Sequence, residues 1–459
     1  MSDEVKCECA VYGVCGYRDA ALSCRDGLYQ LQHRGQEWCG IASWDGEKIH
    51  LEKAEGYVEA AIDATRLARL PGFIAIGHNR YSTTGSSIEI NAQPHITPSP
   101  RLAFCGNGDI VPKSYQSLRA RLEKHQVHFD SQNDGELLAK YIAYHLQRGL
   151  LLTATIRKLM TEVVGAYSAL LLYHGKMYAF RDQLGIRPLV IGRRGKTWLV
   201  ASETCALDVV RAKYVREVAP GELVTFESGK TPQGFHLVQK SHFHHCVFEL
   251  IYFSRPDSIV FGIDAQGFRK ILGQRLTQYD FPAGADVVIP VPDSSNAAAL
   301  GFAQASGIPF DFGLTRNHYV GRTFIQPAQF QRDSKVRKKF NPVRAVLKGK
   351  KVIVVDDSVV RGTTSRKIVR MLRHGGAKEV HLRVASPPIQ HPCFYGIDMK
   401  TREELIAANR SLEEINNFVA ADSLTYLSVV DLKKAVATAG GNPNNFCYAC
   451  FDGKYPTKL

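Results

Sequence analysis

Val352-Ile-Val-Val-Asp-Asp-Ser-Val-Val-Arg-Gly-Thr-Thr-Ser365 concentrates more structural information than any other segment of the chain. A β-branched run ends in two adjacent carboxylates, Asp356 and Asp357, and a short loop through Ser358 and Arg361 then enters a helix at Gly362, Thr363, Thr364 and Ser365. A strand with no polar face is buried on both sides, as in a parallel sheet. Hydroxyls and free backbone N–H groups at a helix start form an anion cradle, which the helix dipole reinforces. The paired carboxylates stand where hydrated Mg²⁺ or ribose hydroxyls bind. A plainer reading of the same residues is a strand closed by an Asx turn and an N-cap.

The flanking segments keep the same rhythm. Val287-Val-Ile-Pro-Val-Pro292 precedes an Ala-rich helical stretch, and Ile368, Val369 and Leu372 line one face of the helix after Ser365. Gly375 and Gly376 end that helix, and Val380 to Ala385 forms the next strand. Buried strands alternating with helices are βαβ units of an α/β fold. The first half differs. Segments such as Phe73 to Gly85 and Ala166 to Asp182 alternate apolar and polar residues between Gly, Asp and Asn turns, which predicts α+β architecture with layered sheets. A boundary is expected between Thr231 and Lys240, where Pro232 and Gly234 break any regular element. There is no internal repeat and no low-complexity tract.

The chain has 459 residues, enough for about two or three domains. A composition 45% hydrophobic and 22% charged excludes a disordered protein, a coiled coil or a disulfide mini-scaffold. No apolar run reaches the length of a membrane span, and the polar, acidic start does not resemble a secretory signal. The net charge of +14 suits polyanionic partners, either nucleic acid or phosphorylated small molecules. No zinc finger or RNA-binding aromatic motif favours nucleic acid. An odd total of 11 cysteines without a signal peptide predicts reduced thiols in a cytoplasmic setting.

The segment around Asp356 resembles the phosphoribosyl-pyrophosphate (PRPP) loop of type I phosphoribosyltransferases. Ser254 to Ser258, Val291 to Ser295, Tyr319 to Pro327 and Ser386 to Asp398 extend the likeness to the glutamine PRPP amidotransferases over nearly the whole chain. The resemblance implies that Ser358 and Arg361 to Ser365 hold PRPP, with Arg322 a further substrate contact. It makes Ser294, Asp356 and Asp357 ligands for Mg²⁺. Arg322, Arg332, Lys335, Arg337, Lys338 and Lys339 lie in one basic stretch, expected either as a lid over a polyanion or as a solvated charged face.

The first half resembles an N-terminal-nucleophile glutaminase, with sheets layered between helices. Cys9-Ala-Val-Tyr-Gly13 and Gln32-His-Arg-Gly-Gln-Glu37 carry the likeness. It implies a propeptide over 1–8, a glutaminase domain over 9–235 and a phosphoribosyltransferase domain over 236–459. Cys9 is then the nucleophile, with its freed α-amine as base. Cys7 and Cys15 are nearby, but only Cys9 heads a Val-x-Gly strand in family register. Arg80 takes the glutamine α-carboxylate as a planar fork, Asn107 and Gly108 donate to the oxyanion, and Asp134 binds the α-ammonium. The chain departs from the family pattern at Ala10, Gly106 and Trp38-Cys39, and Arg316-Asn-His318 stands where Lys-Asn-Arg is usual.

Cys447-Tyr-Ala-Cys450 alone reads as redox or zinc. With Cys246 and Cys393 it matches the subfamily that carries a [4Fe–4S] cluster, with Cys₄ zinc or four inert thiols as the alternatives. The His242 to Cys246 run is expected as a solvated strand end. The resemblance further implies a homotetramer and feedback inhibition by purine nucleotides, with Tyr252 and Arg255 near the nucleotide site. Two other functions fit the residues: an ammonia-dependent phosphoribosyltransferase with a weakened glutaminase, and a non-catalytic sensor of PRPP or nucleotide.

Overall fold

A computed structural model describes residues 9–81, 87–239, 242–317 and 339–459. Residues 1–8 and most of the basic stretch from Tyr319, including Arg322, lie outside the described residues.

Two antiparallel sheets form the first half. Alternating side chains of Ala10–Cys15 point Val11 and Cys15 to one face, and Tyr12 and Val14 to the other. This strand lies inside a seven-stranded sheet, between Thr197–Ala201 and Ile74–Arg80. A six-stranded sheet containing Arg101–Asn107 and Ser168–Tyr173 packs face to face with it, burying Val11, Ile76, Cys105, Leu170 and Met177 between them. The outer face of the first sheet is covered by the helix Ala20–Gln30 through Cys24 and Leu28. Leu137, Tyr141 and Ile142 of the helix Asp134–Gln147 cover the second. The result is the helix–sheet–sheet–helix layering expected from the sequence.

Pro232 and Gly234 do not end the regular structure. Gln233–His236 adds an edge strand to the second sheet, paired with Glu222–Phe226. Pro232 sits just before this ladder, and an edge strand tolerates both residues. A Cβ on Gly234 would lie 2.2 Å from a Glu222 carboxylate oxygen, so the bare backbone leaves that carboxylate its place.

The second half is built on four parallel strands in the order Val287–Pro290, Lys351–Asp356, Glu379–Val384, Ser423–Tyr426. Helices Ala265–Leu276 and Asn296–Ser306 cover one face through Phe268, Leu272 and Phe302. Ile368, Val369 and Leu372 of Thr363–His374 cover the other. Those first two helices touch backbone to backbone. A Cβ on Gly273 would fall 1.8 Å from the Ala298 carbonyl oxygen, and one on Gly301 would fall 2.1 Å from that of Lys270.

The halves are joined by buried charge. Arg34 donates to Glu203 and to Glu249, each at 2.6 Å, and Arg187 donates to Glu249 at 3.2 Å and to the Tyr395 carbonyl. All four charged side chains are essentially inaccessible to solvent.

The glycine contact gives a direct test of the helix pairing. Gly301→Ala must force the two helices apart, at about 1–3 kcal/mol as for other overpacked interiors. A lower melting temperature is expected, while an unchanged one would mean that the helices separate freely.

Candidate active sites

The glutamine-side residues converge although they lie on separate elements. Cys9 leads directly into the central strand, and its half-buried thiol donates to the Tyr81 carbonyl at 3.5 Å. Arg34 donates to the Cys9 carbonyl at 3.4 Å. Burial pushes the thiol up to about 12 despite the Arg80 cation, so the group is protonated near neutrality and needs a base. Cys15 is at the opposite end of the same strand, paired with Ile74, and is buried. That places Cys15 away from Arg80, while Cys7 lies outside the described residues.

Arg80 closes the strand Ile74–Arg80 and is nearly buried, donating to the Asn91 carbonyl at 2.8 Å. Asn107 ends Arg101–Asn107 opposite Ser168. Its amide is buried, and among the described residues neither amide atom has a hydrogen-bond partner. An unmade buried hydrogen bond is costly, so this amide suits an acceptor that arrives with the substrate. Gly108 follows at φ +133°, where a Cβ would lie 2.0 Å from the Ala166 carbonyl oxygen. Only glycine fits that turn.

Asp134 is the first residue of the helix Asp134–Gln147 and accepts from the Ile110 N–H at 3.3 Å. Burial and the neighbouring Asp109 push its carboxyl up to about 7, against the pull of Arg80 and Lys400. Sequence reasoning passed over Asp109, although it directly follows Asn107-Gly108. It also gave Lys400 no role, because its proximity depends on contact between the halves. Lys400 Nζ lies 3.6 Å from Asp109. The departures at Ala10 and Cys39 are both buried in the first sheet, outside this group of side chains.

The phosphate-side residues gather at the carboxyl ends of Val287–Pro290 and Lys351–Asp356, the usual ligand edge of a parallel sheet. Asp356 and Asp357 are more enclosed than a ligand-accessible strand end suggests, at 6% and 7% exposure. Ser294 donates to Asp357, as does Ser358 at 2.6 Å, and Asp356 accepts from the Asp357 N–H at 3.0 Å. Burial raises the Asp357 carboxyl, and the serine hydroxyls and Arg269 counter the rise. Ser294 and Asp357 are thus brought together as one oxygen-rich corner suited to a hard cation.

Gly362 takes a positive φ of +74° and starts the helix Thr363–His374, whose first turn has no side-chain cap. The N–H groups there, with Thr363, Thr364 and buried Ser365, keep the form of an anion cradle. Arg361 is paired with Glu404. Arg255 bonds Asp257 and Gln30, while its N–H donates to Glu203.

Cys246 and Cys447 are directly opposed in a short parallel pairing of His245–Cys246 with Phe446–Cys447. Cys393 and Cys450 line the same small apolar cavity, with Ile186, Phe248 and Tyr455. Among the described residues no three His, Cys, Asp or Glu side chains converge closely enough for a single ion. Four thiols around one cavity are the residue set that either a [4Fe–4S] cluster or a Cys₄ zinc needs. His245 is not a solvated strand end. It shares a hydrogen bond with the Gly185 carbonyl at 2.7 Å and stacks on Phe261.

Known proteins match both halves. Residues 78–209 match the glutamine amidotransferase domain and residues 263–388 the phosphoribosyl transferase domain. The chain is 47% identical to amidophosphoribosyltransferase 1, chloroplastic, of Arabidopsis thaliana, over 98% of its own length and 79% of that protein's. It is 45% identical to the amidophosphoribosyltransferase of Bacillus subtilis, over 98% and 94%. A solved structure described as the allosteric regulatory enzyme of purine biosynthesis superposes with a TM-score of 0.91 at 44% identity, over 98% of this chain and 96% of the other. The glutamine PRPP amidotransferase of B. subtilis complexed with ADP and GMP superposes at 0.90, also at 44% identity, over 98% and 97%. Since the likeness runs through both chemistries in the same order and over nearly every residue, the chain belongs to the amidophosphoribosyltransferase family.

Proposed function

We propose that the chain makes 5-phosphoribosylamine from glutamine, PRPP and water, releasing glutamate and pyrophosphate, as the first step of purine biosynthesis. The buried Asn107 amide carries the glutamine half of this reading, since it has no hydrogen-bond partner among the described residues and directly precedes Gly108 and Asp109. Processing before Cys9 frees an α-amine, whose ordinary pKa of about 7.7–8.0 makes it a fitting base for the thiol. Cys9 Sγ bonds to the amide carbon, and Asn107 and the Gly108 N–H donate to the oxyanion. The proton passes through the α-amine to the leaving nitrogen, and ammonia departs. Water then hydrolyses the thioester to glutamate.

At the second site the ammonia nitrogen bonds to the ribose anomeric carbon as the bond to pyrophosphate breaks. The centre develops oxocarbenium character, as glycosyl transfer generally does. Thr363, Thr364, Ser365 and the helix N–H groups hold the 5-phosphate, and Arg361 exchanges Glu404 for that phosphate. Ser294, Asp356 and Asp357 would hold Mg²⁺, which would supply positive charge to neutralise the leaving pyrophosphate. Arg322 falls outside the described residues, and its PRPP contact rests on the resemblance alone.

The four cysteines suit a structural [4Fe–4S] cluster. The proposed reaction transfers no electrons, and the opposed Cys246 and Cys447 show what a cluster would pin: the C-terminal tail to the segment that opens the second half. The B. subtilis relative complexed with ADP and GMP motivates control by purine nucleotides here as well. A homotetramer in the cytoplasm completes this reading. No described helix is long and apolar enough to cross a membrane.

Three measurements test these assignments. Mass analysis of the native protein should show Cys9 at the N-terminus, and Cys9→Ala should abolish glutamine use while synthesis from ammonia persists. Glutamine-driven activity in a chain that retains residues 1–8 sinks the free-amine mechanism.

Asp357→Asn should cut PRPP-dependent turnover by one or more orders of magnitude, the scale of a lost charge contact at a reacting centre. Glutamine hydrolysis should survive in the same variant. Equal loss of both activities reassigns Asp357 to the fold.

Anaerobically purified protein should contain about four irons and four sulfides per chain, and Cys447→Ser should lose them. Zinc without sulfide moves the site to a Cys₄ zinc.

A further inference from the structure

We infer that Lys400, carried by the phosphoribosyltransferase half, is a positioning residue for glutamine: its ammonium holds the place beside Asp109 and Asp134 that the substrate's α-ammonium then takes. The inference rests on the reading of Asp134 as the group that holds that α-ammonium.

Four observations carry it. Lys400 Nζ is 3.6 Å from Asp109, whose side chain is only 11% exposed. The segment that bears Lys400 is held at both ends. Arg187 clamps the Tyr395 carbonyl at 2.9 and 2.7 Å, and Gly396 packs so tightly that a Cβ there would lie 3.2 Å from Gly108 Cα. At the other end the N–H groups of Lys400 and Thr401 donate to Glu404, at 2.8 and 3.1 Å, and Glu404 pairs with Arg361.

The charge balance gives the reason. The groups that face Asp134 are Asp109, Arg80, Lys400, the Cys9 thiol and Tyr115. Among the described groups that face Asp134, two carboxylates meet two cations, Arg80 and Lys400. Glutamine enters as a zwitterion. Its α-carboxylate takes Arg80, and its α-ammonium supplies the positive charge that Lys400 held in the free enzyme. The Lys400 side chain is 39% exposed, so it withdraws into water at little cost. The backbone anchors of the segment stay in place throughout.

The sign of the pH effect follows. Burial and Asp109 raise the Asp134 carboxyl, and Lys400 opposes that rise. Without Lys400 the Asp134 carboxyl protonates at higher pH, and a protonated Asp134 cannot hold the α-ammonium. The acid limb of kcat/KM for glutamine should therefore move upward.

The pH profile of kcat/KM for glutamine is to be measured in the full-length enzyme and in Lys400→Met and Lys400→Arg, with ammonia-driven synthesis followed in the same samples. An opposite charge at contact distance shifts a carboxyl by about 1–3 units, and solvent exposure reduces this. The Lys400→Met limb should rise by about half to one pH unit, lowering kcat/KM at acid pH about three- to tenfold. Lys400→Arg should restore the original limb. A limb unmoved in Lys400→Met overturns the inference, as does a parallel fall in ammonia-driven synthesis. The underlying reading fails separately, if Asp134→Asn keeps an ordinary KM for glutamine.

Discussion

Two arginines and two glutamates buried between the halves set the terms for everything else. Burial would push the Glu203 carboxyl up, but His33 and Arg34 hold it well below the ordinary carboxylate range. Glu203 also accepts from the Arg255 N–H at 2.9 Å and the Ser258 hydroxyl at 2.7 Å. Such a cluster repays its desolvation only when every member is bonded, and losing one partner from a buried pair costs about 3–5 kcal/mol. Hydrophobic residues would fill the same space as stably. The distinctive effect of the charged set is to fix orientation, because Arg34 also bonds the carbonyl of Cys9. Cys9 is therefore positioned by a side chain whose other bonds reach into the second half.

The two reaction centres share a physical design. Each places a carboxylate, Asp134 or Asp357, in an enclosed corner, where burial raises its pKa and a nearby cation restrains the rise. Among the described residues the Asn107 amide makes no hydrogen bond on one side, and on the other the helix start at Gly362 has no side-chain cap. Neither corner is comfortable empty, and each is completed by a charged ligand. Preorganised donors of this kind need no rearrangement as charge develops in the reaction.

The segment from Tyr395 to Glu404 ties these corners together. It begins on Arg187, passes the glycine turn at Gly108 and ends on the arginine that leads the phosphate loop. A short, well-anchored segment transmits position better than a long loop, since little conformational freedom is left to absorb a shift. Ammonia released on one side has to be used on the other before it escapes to water, so a rigid connection between the corners suits the chemistry.

Residues local in sequence were legible from sequence alone. The β-branched run before Asp356, the apolar face of Ile368, Val369 and Leu372, and the glycines at 375 and 376 determined a strand, a helix and its end, because each depends on neighbouring dihedrals and on burial periodicity. The family pattern likewise pointed to Cys9, Arg80, Asn107, Gly108 and Asp134, and the tertiary structure brings Arg80 and Asp134 to the Cys9 thiol. The edge strand at Gln233–His236 was not legible, because an edge position rather than local propensity decides whether Pro and Gly are tolerated there. Only the tertiary structure decided that Lys400 meets Asp109, that Glu404 meets Arg361, and that Arg34 bridges Glu203 and Glu249. The paired residues in these contacts are up to 291 positions apart along the chain, as Asp109 and Lys400 are. Electrostatic pairing over that separation depends on how two sheets are packed, and no local pattern of residues encodes it.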